Sequence, residues 1–172
     1  MQIPGTEWVL SATERQRFET WIATIRQVHT GTTEARNHPL AWTPLTKPLS
    51  ECVVTLFTTG GVHRKSDHPF DIASPHGDWT WREIPTDIAT TDLMVTHSHY
   101  SHVEADRDIN CMFPLDRLRE LCAQGMIGGI AASAYSIMGF NPDPGHLLAT
   151  TAPELARRYK DSGADVVFMT CG

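Results

Sequence analysis

The chain has 172 residues, 41% of them hydrophobic, and a net charge of -6 at pH 7, which is ordinary for one soluble globular domain. There is no basic stripe, so we do not expect nucleic acid as a partner. No apolar run approaches the roughly 20 residues of a membrane span, and the start of the chain does not resemble a secretory signal. The four cysteines lie far apart, so we expect free thiols in a cytoplasmic protein.

The first 50 residues are predicted to form a helix and a connector. Residues 11–29 repeat apolar side chains at spacings of three and four, which is typical of an amphipathic helix; these are Phe18, Trp21, Ile22, Ile25 and Val28. Ser11 or Thr13 would cap its start. Residues 30–50 hold three prolines and no periodicity, which predicts an extended connector. We therefore separate residues 1–50 from a domain over residues 51–172.

The second region alternates apolar runs with helical patterns. We predict strands within 51–61, 91–100, 126–139 and 165–172, and helices over 114–125 and 152–163, closed by Gly125 and Gly163. This order indicates an α/β fold, a largely parallel sheet flanked by helices, Rossmann-like or flavodoxin-like. Ligands bind beyond the carboxyl ends of such strands. We expect the polar segments that follow the runs, 58–63, 97–102, 133–139 and Cys171, to gather at one edge.

The motif THSHYSH places three histidines, His97, His99 and His102, directly after an apolar run. One interpretation is a metal-dependent hydrolase with Asp106 as a further ligand, because the spacing resembles the HxHxDH signature of metallo-β-lactamase-fold hydrolases. Ser101, however, stands where that family has its aspartate. The alternative, which we favour, is a metal-free polar cluster that transfers protons and contacts substrate, one ring being oriented by Asp106 or Glu104.

Two further features carry candidate chemistry. Cys171 follows a predicted strand, where a thiol is either an acidic nucleophile or an inert small apolar residue. Cys52, Cys111 and Cys122 are expected to be buried. In TTGGVH, Thr59, Gly60, Gly61 and His63 form either an anion-binding loop or a tight turn. In GDWTWREIP, Trp79 and Trp81 would form an interface or a lid.

Six motifs in order resemble the component B selenoprotein family of the glycine, sarcosine, betaine and D-proline reductases, from about residue 51 to the end. They are TTGGVH with HPFD soon after, GDWTWREIP, VTHSHYSH, EADRDINCMFPLDRLREL, GMIGG and APELARRYKDSGADVVFMTCG. Family members carry selenocysteine or cysteine, followed two residues later by cysteine, just after the last of these strands. By this alignment selenocysteine is expected just beyond Gly172. A UGA codon there, read as stop, would leave a truncated chain, whereas in a complete chain Cys171 is the thiol of the site.

The resemblance implies reductive cleavage of a C–N bond in an amino acid or amine by a selenol or thiol centre, with a dithiol donor. A pyruvoyl group on a partner subunit would activate the substrate. We predict Cys171, His97, His99 and His102 as catalytic residues. We also predict that Thr59, Gly60, Gly61, His63, Asp106 and Arg107 bind substrate. A metal-dependent hydrolase and an inactive domain that binds a partner through Trp79 and Trp81 stay open as alternatives, as does a homo-oligomer.

Overall fold

The computed structural model describes residues 12, 13, 15, 16, 19, 20, 23 and 43–171. The chain divides into two units, Met1–Thr43 and Pro44–Gly172. In the first unit, the described residues from 12 to 23 are helical, within the range predicted for the amphipathic helix. Ser11 and the five apolar residues of the predicted buried face lie outside the described residues. The architecture below is that of the second unit.

Strand β1 (Val53–Thr58) is the centre of the main sheet. β5 (Gly129–Ile130) and β6 (Ser133–Ile137) pair in parallel with one edge of β1, and β7 (Val166–Thr170) pairs in parallel with the other. The two edges are opposite because Val54 pairs with both Ile130 and Val166. β3 (Trp81–Pro85) runs antiparallel beside β6. The predicted α/β fold with a largely parallel sheet is confirmed, while its subtype stays a prediction.

A second, two-stranded sheet holds the segment before the histidine motif. β2 (Val62–Arg64) pairs antiparallel with β4 (Leu93–Val95), Val62 lying opposite Val95. The prediction that residues 91–100 form a strand of the main sheet is therefore wrong: the strand is short and pairs elsewhere. The cause is Gly61, whose φ of 70° turns the chain out of β1 and starts β2 in a new direction.

Helices cover both faces of the main sheet. α1 (Val103–Arg107) follows the histidine motif, α2 (Leu115–Ala123) precedes β5, and α3 (Ala152–Asp161) precedes β7. Short 3-10 turns lie at Leu49–Glu51, Thr90–Asp92 and Ile109–Cys111, and a π-helical turn at Leu147–Thr151 leads into α3. Gly125 and Gly163, with φ of 69° and 70°, follow α2 and α3 as predicted.

The alternation of side chains along β1 divides the core between these helices. Val54 and Leu56 are buried with Leu115 and Leu118 of α2, on one face of the sheet. Phe57 packs towards the other face, where Tyr135, Ile137 and Leu155 form a second cluster with α3. Both clusters hold the strands rigidly, so the positions of the strand ends, where ligands are expected, are well defined.

Candidate active site

The carboxyl ends of β1 and β7 are tied to the segment that links α1 and α2. The Thr170 hydroxyl donates to the Met112 carbonyl oxygen at 2.7 Å, and the Thr58 hydroxyl approaches the same oxygen at 3.4 Å. Met112 also lies against Gly60, where an added Cβ would be 2.5 Å from Met112 Cγ. The residues around Cys111 therefore belong to the edge of the sheet at which β1 and β7 end.

The three backbone N–H groups of the Thr59–Gly61 loop are all hydrogen-bonded to other protein groups. Thr59 N–H donates to the Thr170 carbonyl, Gly60 N–H to the Thr58 hydroxyl and Gly61 N–H to the Ile137 carbonyl. All three donors are thus used inside the protein, so the tight-turn interpretation describes this loop and the anion-binding one does not. Thr96 N–H in turn donates to the Gly61 carbonyl at 2.9 Å. This bond brings the histidine motif to the edge of the main sheet, although β4 is not part of that sheet.

His63 is buried beneath the loop rather than facing a ligand. Its Nδ1 donates to the Arg64 carbonyl and its Nε2 pairs with the Thr96 hydroxyl, each at 2.8 Å. The side chain is almost fully buried, and its ring meets the edge of Phe70. Both ring nitrogens are therefore occupied, and the predicted substrate contact of His63 has no free donor or acceptor to make it.

His97 is the most buried histidine of the motif, with 7% of its surface exposed. Its Nδ1 accepts a hydrogen bond from the His99 backbone N–H at 3.0 Å, so the neutral ring carries its proton on Nε2. Burial lowers the pKa of His97, and the nearby His99 and His102 rings lower it further. The neutral imidazole, a hydrogen-bond donor through Nε2, is therefore the favoured form of His97.

A cavity of about 460 Å³ opens beside His97 and His99, beyond the ends of β1 and β6. Its other lining residues are Thr59, Ile137, Gly139, Phe140, Asn141, Pro144 and Leu147. The His99 ring is stacked on Phe140, with centroids 3.4 Å apart. The two predicted segments 97–102 and 133–139 thus meet here, as expected for the carboxyl edge of the sheet. The volume lies within the range of small-molecule binding sites.

Two residues that the sequence analysis missed also shape this region. Asn141 donates from Nδ2 to the Met138 carbonyl, while its buried Oδ1 has no hydrogen-bond partner among the described residues. The Tyr100 hydroxyl donates to the Gly60 carbonyl at 2.7 Å, and burial, then the charges of Cys111 and Asp106, raise its pKa to about 12. Asn141 lines the cavity, and Tyr100 is a fixed structural donor. For Asn141, the sequence gives no signal of this position beyond the turn-forming residues on either side of it.

His102, Asp106 and Arg107 lie apart from the cavity. His102 Nδ1 is 2.9 Å from an Asp106 carboxylate oxygen, so Asp106 orients this ring as predicted. Arg107 pairs with Glu104 on the surface of α1. Asp106 and Arg107 instead line a separate polar cavity near Lys65. None of these three residues lines the cavity beside His97 and His99, although the His102 ring is near enough to His97 to lower its pKa.

Two of the four thiols are exposed at the same edge. Cys171 follows β7 and is exposed, and so is Cys111, which means that the predicted burial of Cys111 is wrong. Cys52 is buried, as predicted, and Cys122 is partly buried. Cys111 and Cys171 are the sequence neighbours of Met112 and Thr170, which the 2.7 Å hydrogen bond joins. Cys111 is exposed because its short 3-10 turn bridges α1 and α2 over the strand ends.

The geometry gives no support to the alternative metal site at His97, His99, His102 and Asp106. In the part of the chain that the structure describes, no group of three or more His, Cys, Asp or Glu side chains could hold a metal ion. The His97 Nδ1 and the His102 Nδ1 are already hydrogen-bonded to protein groups.

No helix among the described residues is long and apolar enough to cross a membrane.

The two tryptophans of GDWTWREIP contact different parts of the fold. Trp81 packs edge-on against Tyr135, with the Arg158 guanidinium 4.3 Å over its indole. Trp79, which is partly exposed, stacks on His146 with centroids 4.5 Å apart. Gly77, just before it, lies against the Phe140 carbonyl. This segment therefore supports the loop from Phe140 to His146 that walls the cavity.

The family match and the similar curated proteins agree on one family. Residues 30–172 match the family described as glycine/sarcosine/betaine reductase selenoprotein B. The D-proline reductase subunit gamma of Acetoanaerobium sticklandii is 41% identical over 78% of this chain and 54% of its own length. The glycine reductase complex component B subunit gamma of Carboxydothermus hydrogenoformans is 30% identical over 74% of this chain and 29% of its own. The betaine reductase complex component B subunit beta of Peptoclostridium acidaminophilum is 30% identical over 72% and 29%.

The chain therefore spans about half the length of the first of these relatives and less than a third of the other two. No solved structure matches it. The family match covers most of the chain and includes the loop after β1, the histidine motif and the end of β7. This chain belongs to the glycine/sarcosine/betaine reductase selenoprotein B family.

Proposed function

We propose that the chain acts in a reductase complex that cleaves the C–N bond of a small amino acid or amine, and that the cavity beside His97 and His99 receives this substrate. Family membership supports the reductase role. The observation that supports the location is that Thr59, which lines the cavity, donates its backbone N–H to the Thr170 carbonyl, one residue before the exposed Cys171. A small substrate held there would lie at the edge where the family's redox centre is expected.

The residues of this chain would bind and orient the substrate. Neutral His97 donates through Nε2, which suits a substrate carboxylate, because its Nδ1 is already an acceptor of the His99 N–H. Asn141 lines the same cavity, and its Oδ1, which is buried without a partner among the described residues, would have to become accessible to accept an N–H from the substrate amine. Since the low pKa makes His97 a poor proton source at neutral pH, we propose His99, which is exposed in the cavity, as the group that protonates the departing nitrogen.

Nucleophilic attack at the α-carbon needs an ionised chalcogen at this edge. A selenocysteine after Gly172 would supply a strongly nucleophilic selenolate, and in a complete chain Cys171 would take that place. A pyruvoyl group on a partner subunit would supply the carbonyl that activates the amine. The names of the relatives, which describe subunits of reductase complexes, support the existence of such partners.

Sequencing of the gene through the codon after Gly172 tests the redox centre directly. A UGA codon followed in frame by a cysteine codon supports the selenocysteine proposal. A UAA or UAG codon with no open frame beyond it overturns that proposal and leaves Cys171 as the reactive thiol.

The binding role is tested with the gene product copurified with its reductase partners. Dithiothreitol-dependent release of the product amine or ring-opened acid is measured with glycine, sarcosine, betaine and D-proline. His97→Ala should reduce turnover about a hundredfold, as is usual when one preorganised donor is lost. His68→Ala is the matched control, because His68 is exposed and its ring, within the described residues, bonds to the Pro69 carbonyl alone. Equal turnover in the two variants would contradict the proposed site.

A further inference from the structure

Strand β7 is uncharged and lies at the edge of the main sheet. Its sequence is VVFMT, and within the described residues only β1 pairs with it. Phe168 is 47% exposed and Met169 is 66% exposed. Because successive residues of a strand point to opposite faces, this exposure affects both faces of β7. The strand thus presents a free hydrogen-bonding edge and two exposed apolar side chains.

An apolar groove runs along the face of β7 that carries Phe168. The groove has a volume of about 410 Å³ and lies between Val166 and Phe168 of β7 and Leu118 and Leu121 of α2, with Leu49 at its end. Its surface consists of apolar atoms. Arg117 lies at the rim, where its guanidinium pairs with Glu120. The groove can therefore accept an apolar surface without the loss of any polar contact.

Such an edge is unusual for a protein surface. Parallel strands are normally covered on both faces, and free edges are normally protected by charged residues, proline or a bulge. β7 has none of these features. The relatives offer a physical reason: the D-proline reductase subunit matches this chain over only 54% of its own length, so nearly half of it has no counterpart here.

We propose that the β7 edge surface, formed by Val166, Phe168 and Met169 of β7 with Leu118 and Leu121 of α2, binds a strand and helix from that unmatched part of the reductase polypeptide. The strand pairs with the free edge of β7. The apolar face of the helix fills the groove and covers Phe168. The face of the segment that enters the groove must be apolar, since a charged or polar one would leave buried groups without partners.

A second copy of this chain is the competing occupant. Two β7 strands pairing edge to edge would also cover Phe168 and Met169, and would make an isologous dimer. We favour the unmatched reductase polypeptide because it accounts for the groove as well as for the strand edge. Strand pairing alone would leave the groove against α2 open. The two occupants differ in one measurable respect, the dependence of β7 protection on the concentration of this chain.

The test is hydrogen–deuterium exchange of the β7 amides in the 172-residue chain, with and without the unmatched part of the A. sticklandii subunit supplied as a separate polypeptide. We expect exchange over Val167–Thr170 to slow about tenfold or more when the polypeptide is present, because the free edge becomes hydrogen-bonded. Phe168→Asp should abolish this slowing. Ile72→Asp, which places the same charge at an exposed apolar residue of a loop, should not.

A second form of the experiment, with the two polypeptides fused, covers the case in which the separate polypeptide does not fold. In it, the same sequence is joined after Gly172, and β7 exchange is compared with that of the 172-residue chain. If neither arrangement slows exchange, the proposal is overturned. It is also overturned if the 172-residue chain protects β7 by itself in a concentration-dependent manner, since that result identifies a second copy as the occupant. None of these measurements depends on catalytic activity, so they separate this inference from the proposed reductase function.

Discussion

Phe140 lies flat against His99, with ring centroids 3.4 Å apart and planes only 7° apart. Phe140 follows the glycine that ends the β6 segment, whereas His99 follows β4 in the small sheet. The stack therefore joins the two segments that form opposite walls of the candidate active site. Gly77 backs this contact, because any side chain there would meet the Phe140 carbonyl.

Replacement of Phe140 by alanine should release the His99 ring. The change removes the aromatic face on which the imidazole rests, so the ring loses its fixed orientation and its ring-current environment. Heteronuclear NMR of the histidine side chains measures this directly: the His99 ring protons should shift downfield in Phe140→Ala. Those of His63, which contacts Phe70, should stay in place. Unchanged His99 shifts would show that the stack does not persist in solution.

Gly61→Ala should destabilise the fold more than Gly125→Ala. Both glycines have a positive φ, near 70°, so both substitutions carry the cost of a left-handed conformation, about 1–2 kcal/mol. Only at Gly61 does the new Cβ also meet backbone, the Thr96 carbonyl, whereas nothing lies within 4 Å of it at Gly125. The free energies of unfolding in urea compare the two variants. Equal losses would mean that the Thr96 segment moves away without cost.

Val53–Thr58, Val166–Thr170 and the two helices that end before Gly125 and Gly163 lie within their predicted ranges, because apolar runs and glycine stops are local signals. The one strand predicted within 126–139 is in fact two, β5 and β6, and β2 and β3 were not predicted. The partner of each strand is not a local property. Residues 93–95 have the composition of a parallel core strand, yet they pair antiparallel with β2, because the turn at Gly61 redirects the chain.

The position of a site residue could be predicted from the sequence only where that residue directly follows the end of a strand. His97 and His99 lie at the cavity, as the edge rule implies. His63 is two residues past the glycine pair, but the turn points it into the core. Asn141 was missed because its role depends on a buried carboxamide oxygen, which has no signature in sequence. The exposure of Cys111 likewise depends on how one short turn crosses the strand ends.

The low pKa of His97 predicts a loss of stability in mild acid. Its usual pKa of 6.5 applies to the unfolded chain, and burial lowers the value in the folded protein. Above about pH 8 both states are neutral and the group has no effect. As the pH falls through 6.5 the unfolded chain binds a proton that the folded protein does not, so the free energy of unfolding decreases until the folded pKa is reached.

His97→Gln should remove this contribution. Urea unfolding between about pH 8 and pH 5 should show a flatter pH dependence in the variant than in the unaltered chain. The comparison at the upper end of this range is the internal control, because His97 is neutral there in both states. The lowered pKa values of Asp67, Asp78 and Asp116 act at lower pH, below their usual value of 3.8, and do not interfere. Parallel pH profiles would contradict the burial of His97.

Thr170→Val should loosen the segment that carries Cys111. The isosteric change removes the hydroxyl that donates to the Met112 carbonyl at 2.7 Å and leaves only the longer contact from Thr58. Loss of one such bond costs about 1 kcal/mol, which corresponds to roughly fivefold faster local opening. Amide exchange at Met112 and Phe113, whose N–H groups bond within this turn, measures the opening.

Thr55→Val is the matched control for this prediction. Thr55 is buried in the same strand as Thr58, and its hydroxyl donates to the Ser133 carbonyl at 2.8 Å, so the variant loses an equivalent bond. Its overall stability should fall by a similar amount without a selective change at Met112 and Phe113. If both variants accelerate exchange there equally, the effect is global and the Thr170 hydroxyl does not anchor the turn. A selective effect of Thr170→Val means that the end of β7 anchors the turn that carries Cys111, so the position of this exposed thiol depends on the residue that precedes Cys171.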